Sequence, residues 1–150
     1  LQVDSAFFYV DRSFELASYW KMPAVQAEAK LTKAKIAFSN KDPFGSLKLN
    51  EEAVEFAEQS EDSLVLAKSL SQLGGSYSSL RLDSTALEYC RQALRLADPK
   101  RDEVLYGNIL NQIGHCVSNL GDNQAALSYY QQYSDIVGRH KMYKERATCH

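Results

Sequence analysis

The chain is short of the residues that build loop-rich or cross-linked domains. Its 150 residues include only 7 glycines and 3 prolines, which argues against an all-β domain with many tight turns. The 3 cysteines, at positions 90, 116 and 149, fit neither a disulfide framework nor the ligand spacing of a zinc site. We therefore expect a reducing intracellular setting.

Charge and hydrophobicity exclude two further classes of protein. With 17 basic and 19 acidic residues the net charge is -2, so the basic surplus of a nucleic-acid-binding module is missing. No apolar run approaches the roughly 20 residues of a membrane helix, so no membrane insertion is predicted. The chain starts at Leu1 without an initiator Met or a charged lead into an apolar stretch. We expect no signal peptide and interpret the chain as a segment of a longer protein.

What the chain does contain is a repeat of 40 residues. Two columns at this offset are Ala6, Ser46, Ala86 and Ala126, and Leu16, Phe56, Leu96 and Ile136. Because one offset holds along the whole chain, it indicates tandem duplication of a single structural unit.

Within each unit the apolar positions step by three and four residues, which is the period of an α-helix. Prolines and the pair Gly121-Asp122 stand between these stripes, where turns are expected. The pattern predicts helices over about 4–20, 24–40, 46–60, 63–81, 84–97, 103–120 and 123–138, with another beginning near 142. No alternating strand period is visible, so the predicted fold class is all-α.

A hairpin of two helices cannot bury its apolar face alone, whereas stacked hairpins can. We therefore predict one array over residues 1–150, an α-α superhelix of antiparallel helix hairpins. It comprises the second helix of a partial repeat (1–20), three repeats (24–60, 63–98 and 103–138) and the start of a further first helix (142–150).

Two of these units resemble the tetratricopeptide repeat, whose pattern is a large apolar residue, Leu-Gly, an aromatic residue, Ala, a second aromatic residue and Pro. The matching residues are Leu70, Leu73-Gly74, Tyr77, Ala86, Cys90 and Pro99 in one unit, and Leu110, Ile113-Gly114, Val117, Ala126 and Tyr130 in the next. Leu70 replaces the signature Trp and Cys90 replaces an aromatic residue. The period of 40 is similar to that of the subclass with extended helices, whereas 34 is usual.

The resemblance implies a right-handed superhelix whose first helices line a concave groove for peptides. The groove residues it implies are Asn108, Asn111, His115, Ser118 and Asn119 in the third unit, Lys68, Ser71, Gln72 and Ser78 in the second, and Lys35 in the first. Asparagine amides both donate and accept hydrogen bonds, so a column of them can hold a peptide backbone. The alternative is that these polar side chains are simply solvated.

Two more specific functions are disfavoured by the sequence. The positions of the carboxylate clamp found in chaperone-binding members hold Leu31, Lys35, Gln72, Asn108 and Gln112, so that clamp is absent. His115 and Cys116 are neighbours on one helix and point about 100° apart, which prevents them from acting as a base and nucleophile. No catalytic residue, cofactor or metal is predicted.

The predicted function is that of a non-catalytic scaffold or adaptor in the cytoplasm, with a protein or peptide partner. The alternatives are an architectural subunit of a large cytoskeletal or ciliary assembly, and a regulatory adjunct of an enzyme whose catalytic domain lies elsewhere. A bacterial peptide-pheromone sensor is a further alternative. Aromatic residues crowd the first helix, and we expect the terminal helices to dock on further repeats or on other chains.

Overall fold

A computed structural model describes the backbone of residues 2–148 and the side chains of residues 5–139. The described backbone forms seven α-helices and no strand, as predicted for an all-α chain. The helices are α1 (Gln2–Tyr19), α2 (Pro23–Ser39), α3 (Pro43–Gln59), α4 (Ser63–Ser79), α5 (Asp83–Leu96), α6 (Glu103–Asn119) and α7 (Asn123–Thr148).

Five of the six joints are turns of three residues with the same backbone conformation. In each, the middle residue has a positive φ: Lys21 (52°), Lys41 (63°), Glu61 (55°), Arg81 (63°) and Gly121 (98°). At Lys41 the turn is closed by two hydrogen bonds, from Lys41 N to Phe38 O and from Asp42 N to Ala37 O, each 3.0 Å long. This is the Schellman pattern, which ends a helix by turning one residue left-handed.

Aspartates cap the first turns of α3, α4, α6 and α7. Asp62 Oδ1 accepts a hydrogen bond from Leu64 N at 2.9 Å, and Asp102 Oδ1 accepts one from Leu105 N at 2.9 Å. Such N-caps satisfy amide groups that have no partner within the helix. The sixth joint, residues 97–102, contains Pro99 and is twice as long as the others.

The helices pack as hairpins that stack in chain order. The pairs α2–α3, α4–α5 and α6–α7 form the hairpins, and the contacts α3–α4 and α5–α6 join one hairpin to the next. α4 also contacts both α2 and α6, so the three first helices share one face of the stack. α1 packs on α2, as the second helix of a preceding hairpin would.

Small residues allow this close packing. Ala27, Ala53, Ala67, Ala86 and Ala93 are each 0% exposed. Alanine at these contacts lets neighbouring helices approach, while larger side chains fill the gaps between hairpins. The core is therefore a row of similar layers, and its register follows the 40-residue period.

The prediction of a break between residues 138 and 142 is wrong. α7 runs without interruption from Asn123 to Thr148, and residues 149 and 150 of the predicted further helix lie outside the described residues. The only glycine near this position, Gly138, does not end the helix, because a glycine inside a helix costs only about 1 kcal/mol relative to alanine. No proline follows it to end the helix. α3 also begins three residues earlier than predicted, because Pro43 is accommodated in the first turn.

Candidate functional site

The first helices α2, α4 and α6 enclose an open trough on the concave face of the stack, with a volume of about 700 Å³. The residues that define this concave trough are Lys35, Phe38 and Ser39 of α2, Ser46 and Asn50 of α3, Lys68, Ser71, Gln72, Gly75 and Ser76 of α4, Asp102, and Val104, Leu105, Asn108, Asn111 and Gln112 of α6. Most of these side chains are polar and uncharged. The surface is thus suited to hydrogen bonding rather than to charge recognition.

Two exposed apolar side chains lie among the polar groups of the concave trough. Phe38 of α2 and Val104 of α6 are each 54% exposed. Covering apolar surface is worth about 25 cal/mol per Å². The trough therefore offers two apolar contacts beside its amides.

The structure places the ten predicted groove residues in three groups. Lining the concave trough are Lys35, Lys68, Ser71, Gln72, Asn108 and Asn111. Ser78 and His115 line a second cavity beside it, and Ser118 and Asn119 line neither. Ser118 Oγ donates to Asn123 Oδ1 at 3.0 Å, and Asn119 Nδ2 donates to Asp83 Oδ1 at 3.0 Å. In the last turn of α6 these polar side chains are therefore bonded to neighbouring helices.

Two trough residues are held by partners within the chain. Lys68 Nζ lies 2.7 Å from both carboxylate oxygens of Glu28, an ion pair that joins α4 to α2. Ser71 is 3% exposed and its Oγ donates to Gln112 Oε1 at 2.9 Å, which joins α4 to α6. These bonds fix the spacing of the first helices and so the width of the trough.

Three trough side chains are free to bind a ligand. Lys35, Asn108 and Asn111 are exposed, and none of them forms a side-chain hydrogen bond or ion pair within the part of the chain that the structure describes. Asn108 and Asn111 lie one turn apart on α6, and Lys35 faces the trough from α2. Together they span the trough from its first to its third hairpin.

Asn50 is a trough residue that sequence reasoning missed. It is 3% exposed, and its Nδ2 donates to Ser76 Oγ at 2.7 Å. Its Oδ1 has no hydrogen-bond partner among the described residues. A buried polar atom without a partner costs about 1–3 kcal/mol, so a donor that reached this oxygen would be bound favourably. The sequence feature that could have identified Asn50 is its place 40 residues before Cys90, at a position where the repeat favours an aromatic residue.

The second cavity, called the side cavity here, has a volume of about 320 Å³ and lies between α4 and α6. Its walls are Gly74, Gly75, Ser78 and Ser79 of α4, Cys90 of α5, Asn111, Gln112, His115 and Cys116 of α6, and Tyr130 of α7. Gly75, Asn111 and Gln112 line both the side cavity and the concave trough. The two cavities are therefore adjacent parts of one surface.

Two free thiols lie at the buried wall of the side cavity. Cys90 and Cys116 are 0% and 1% exposed. Cys90 Sγ donates to Gln112 Oε1 at 3.5 Å. The neighbouring Cys116 thiol, together with burial, raises the pKa of the Cys90 thiol. The neighbouring Cys90 thiol lowers the pKa of Cys116 to about 7, against the opposing effect of burial. His115 Nδ1 instead lies 3.4 Å from Asn119 Nδ2, and no described contact joins it to Cys116.

Metal binding and membrane insertion find no support in the described residues. Within them, no three His, Cys, Asp or Glu side chains are grouped so that they could hold a metal ion. None of the described helices combines the length and apolar character that crossing a membrane requires.

Comparison with known proteins agrees with the hairpin stack. Residues 107–136 match the family model of the tetratricopeptide repeat. The structure is similar to the TPR domain of FLU from Arabidopsis, with a TM-score of 0.67 and 22% sequence identity over 77% of this chain and 95% of that one. The chain therefore contains a tetratricopeptide repeat at residues 107–136, and its fold is that of the TPR domains it resembles.

A second solved structure shares the fold over more of the chain. BtubC (BKLC) from P. vanneervenii has a TM-score of 0.72 and 19% sequence identity to it, over 93% of this chain and 58% of that one. No curated protein matches the chain. Tetratricopeptide repeats generally mediate protein–protein interaction, and the fold is typically a non-catalytic module.

Proposed function

We propose that this tetratricopeptide-repeat chain is a non-catalytic scaffold that binds an extended segment of a partner protein in the concave trough. The observation that carries the proposal is that α2, α4 and α6 together line one open trough of about 700 Å³. A segment lying along it would contact all three hairpins, whose relative positions are fixed by packing. Because the trough is already formed, little ordering of the scaffold would oppose binding.

The chemistry of the trough favours recognition of a peptide backbone. The free amides of Asn108 and Asn111 can each pair with a peptide group, donating to its C=O and accepting from its N–H. Phe38 and Val104 would cover apolar side chains of the guest, and Lys35 would attract an acidic residue at the end near α2.

The test is a selection of random peptides displayed on phage against the purified chain, followed by binding measurements on the enriched peptides. The double variant Asn108→Ala/Asn111→Ala should weaken binding about tenfold or more, because each lost hydrogen bond to a ligand is worth about 0.5–1.5 kcal/mol. Gln131→Ala, an exposed amide of α7 outside both cavities, serves as the matched control and should bind as the native chain does. Enriched peptides that bind the double variant normally would refute the trough as their site.

The free thiols support an intracellular location for this scaffold. Cys90 and Cys116 are free thiols that line the same cavity. Cysteines so placed stay reduced in the cytoplasm and are readily oxidised outside the cell.

An architectural role in a large assembly is the second candidate, and the outer face of α1 favours it. Phe8, Tyr9, Tyr19 and Trp20 of this region are 64%, 71%, 76% and 68% exposed. Exposed aromatic clusters of this size mark interaction surfaces. The double variant Tyr19→Ser/Trp20→Ser separates the two roles, because it should leave peptide binding in the trough unchanged and abolish co-assembly in cells if the architectural role holds.

A further inference from the structure

The side cavity lies where an aromatic ring is present in the next repeat. Positions 50, 90 and 130 are equivalent at the 40-residue offset and hold Asn50, Cys90 and Tyr130. The glycines facing the last two are equivalent as well. A Cβ placed on Gly114 would lie 2.8 Å from Cε1 of the Tyr130 ring, and one placed on Gly74 would lie 2.6 Å from Cys90 Sγ. Tyr130 thus covers Gly114 with a ring, whereas Cys90 covers Gly74 with a single sulfur atom.

The absence of an aromatic ring at position 90 accounts for the position of the side cavity. Cys90 and Gly74 are both in its wall, and it extends from them between α4 and α6 towards the concave trough. Its volume of about 320 Å³ exceeds the roughly 150 Å³ that suffices for a buried benzene-sized ligand. The ring of Tyr130 forms another part of the wall, so a guest ring would meet an aromatic face or edge.

We propose that the side cavity binds a tyrosine side chain of the guest peptide, in the place that a tyrosine of the chain itself takes one repeat later. This inference rests on the proposed function, since the guest backbone lies in the adjoining trough. A tyrosine suits the cavity better than a phenylalanine because polar groups surround the apolar floor. Gln112 Nε2 and His115 Nε2 form no hydrogen bond among the described residues and are available to the phenol hydroxyl.

The first experiment uses p-cresol, which is the tyrosine side chain alone, and follows the amide resonances of the native chain by NMR. We expect saturable shifts that centre on Gly74, Gly75 and His115. Cys90→Tyr fills the cavity from within and should weaken p-cresol binding about tenfold or more, as expected for loss of the burial of one ring. Gln131→Tyr adds the same side chain outside both cavities and should leave the p-cresol shifts unchanged.

A second variant guards against misfolding of Cys90→Tyr. A Cβ on Gly75 would meet only Gln112 Nε2, at an ordinary 3.4 Å, so a side chain is tolerated there. Gly75→Leu would extend that side chain at the mouth between the two cavities and should also abolish the p-cresol shifts. The proposal is overturned if the native chain gives no saturable shifts, if they centre elsewhere, or if a folded blocking variant leaves them intact.

Failure of this inference can be told apart from failure of the proposed function. If peptides selected on the native chain bind through Asn108 and Asn111 but p-cresol does not bind, only the tyrosine pocket is wrong. If p-cresol binds at Gly74 while no peptide is selected, the trough function is wrong. When both hold, replacing one tyrosine of the selected peptide by alanine should weaken binding to the native chain and have no effect on binding to Cys90→Tyr.

Discussion

The side chain of Asn119 ties the end of α6 to the start of α5. Its Nδ2 donates to Asp83 Oδ1 at 3.0 Å, and the same oxygen accepts a hydrogen bond from Ser78 Oγ at 3.1 Å. Asp83 is only 8% exposed, so its carboxylate depends on these partners. Asn119 therefore joins two hairpins, although its position on α6 predicted a contact with a ligand.

The first prediction follows from this tie. Asn119→Ala should lower the free energy of unfolding by about 1–2 kcal/mol, because it leaves a buried carboxylate short of a hydrogen bond. Asn108→Ala, which removes a free and exposed amide, should change stability by less than about 0.5 kcal/mol. Urea denaturation measures both. Equal stability of Asn119→Ala and the native chain would mean that the Asp83 contact contributes nothing.

The second prediction concerns the adjacent glycines of α4, which should respond to alanine in opposite directions. A Cβ at position 74 would lie 2.6 Å from Cys90 Sγ and 3.1 Å from the backbone oxygen of Ala86, which cannot move freely. Gly74→Ala should therefore cost about 1–3 kcal/mol. Gly75→Ala meets only an ordinary contact and should gain up to about 1 kcal/mol from helix propensity.

Thermal denaturation of these two variants checks the prediction. Adding Cys90→Ala to Gly74→Ala removes the nearest clashing atom and should recover part of the loss. A destabilised Gly75→Ala, or no recovery in the double variant, would show that the packing around α4 has been misjudged.

The periodic pattern predicted the helices well because each helix repeats the same kind of apolar stripe between two turns. The helices from α2 to α7 start at intervals of 20 residues, and the apolar stripes leave little freedom between one joint and the next. The left-handed conformation of Lys21, Lys41 and Arg81 could not be predicted, since lysine and arginine carry no preference for it. The fold imposes it at these positions because the hairpin needs a turn there.

The candidate site was harder to predict than the fold. Helical spacing indicates which residues share a face, and it placed Asn108 and Asn111 together. It does not reveal which polar groups already have partners, so Asn119 was assigned to a ligand contact. Asn50 and the side cavity depend on contacts between hairpins, which no single helix pattern contains.

The third prediction tests the turns. Arg81 adopts φ 63° and Gly121 adopts φ 98° at equivalent places. Arg81→Gly should raise the free energy of unfolding by about 0.5 kcal/mol, since glycine adopts this conformation without strain. Gly121→Ala should lower it by about 1 kcal/mol, although a Cβ there would touch nothing within 4 Å. Arg91→Gly, the same change on an exposed residue inside α5, is the control and should be destabilising by about 1 kcal/mol. A stabilising Gly121→Ala, measured by urea denaturation, would contradict the assigned turn.

The last prediction concerns the pH dependence of the thiol pair. The neighbouring Cys90 thiol lowers the pKa of Cys116 to about 7, whereas an unfolded cysteine titrates near 8.5. The stability contributed by Cys116 is therefore fully present above about pH 8.5 and is lost as the pH falls through about 7. The pKa of Cys90 is raised in the folded chain. Cys90 therefore makes the free energy of unfolding fall with rising pH, but only above about pH 8.5, where the unfolded thiol ionises.

Between about pH 7 and about pH 8.5 the free energy of unfolding should rise with pH by on the order of 1 kcal/mol, and Cys90→Ala should remove this rise. Both effects are measured in a Cys149→Ser background, so that the ultraviolet absorbance of thiolate reports on this pair alone. Without the Cys90 thiol, burial is the largest remaining influence on the pKa of Cys116, and thiolate should form only above about pH 8.5. A Cys116 thiol that still titrates near neutral pH in Cys90→Ala would exclude the Cys90 thiol as the cause of the lowered pKa.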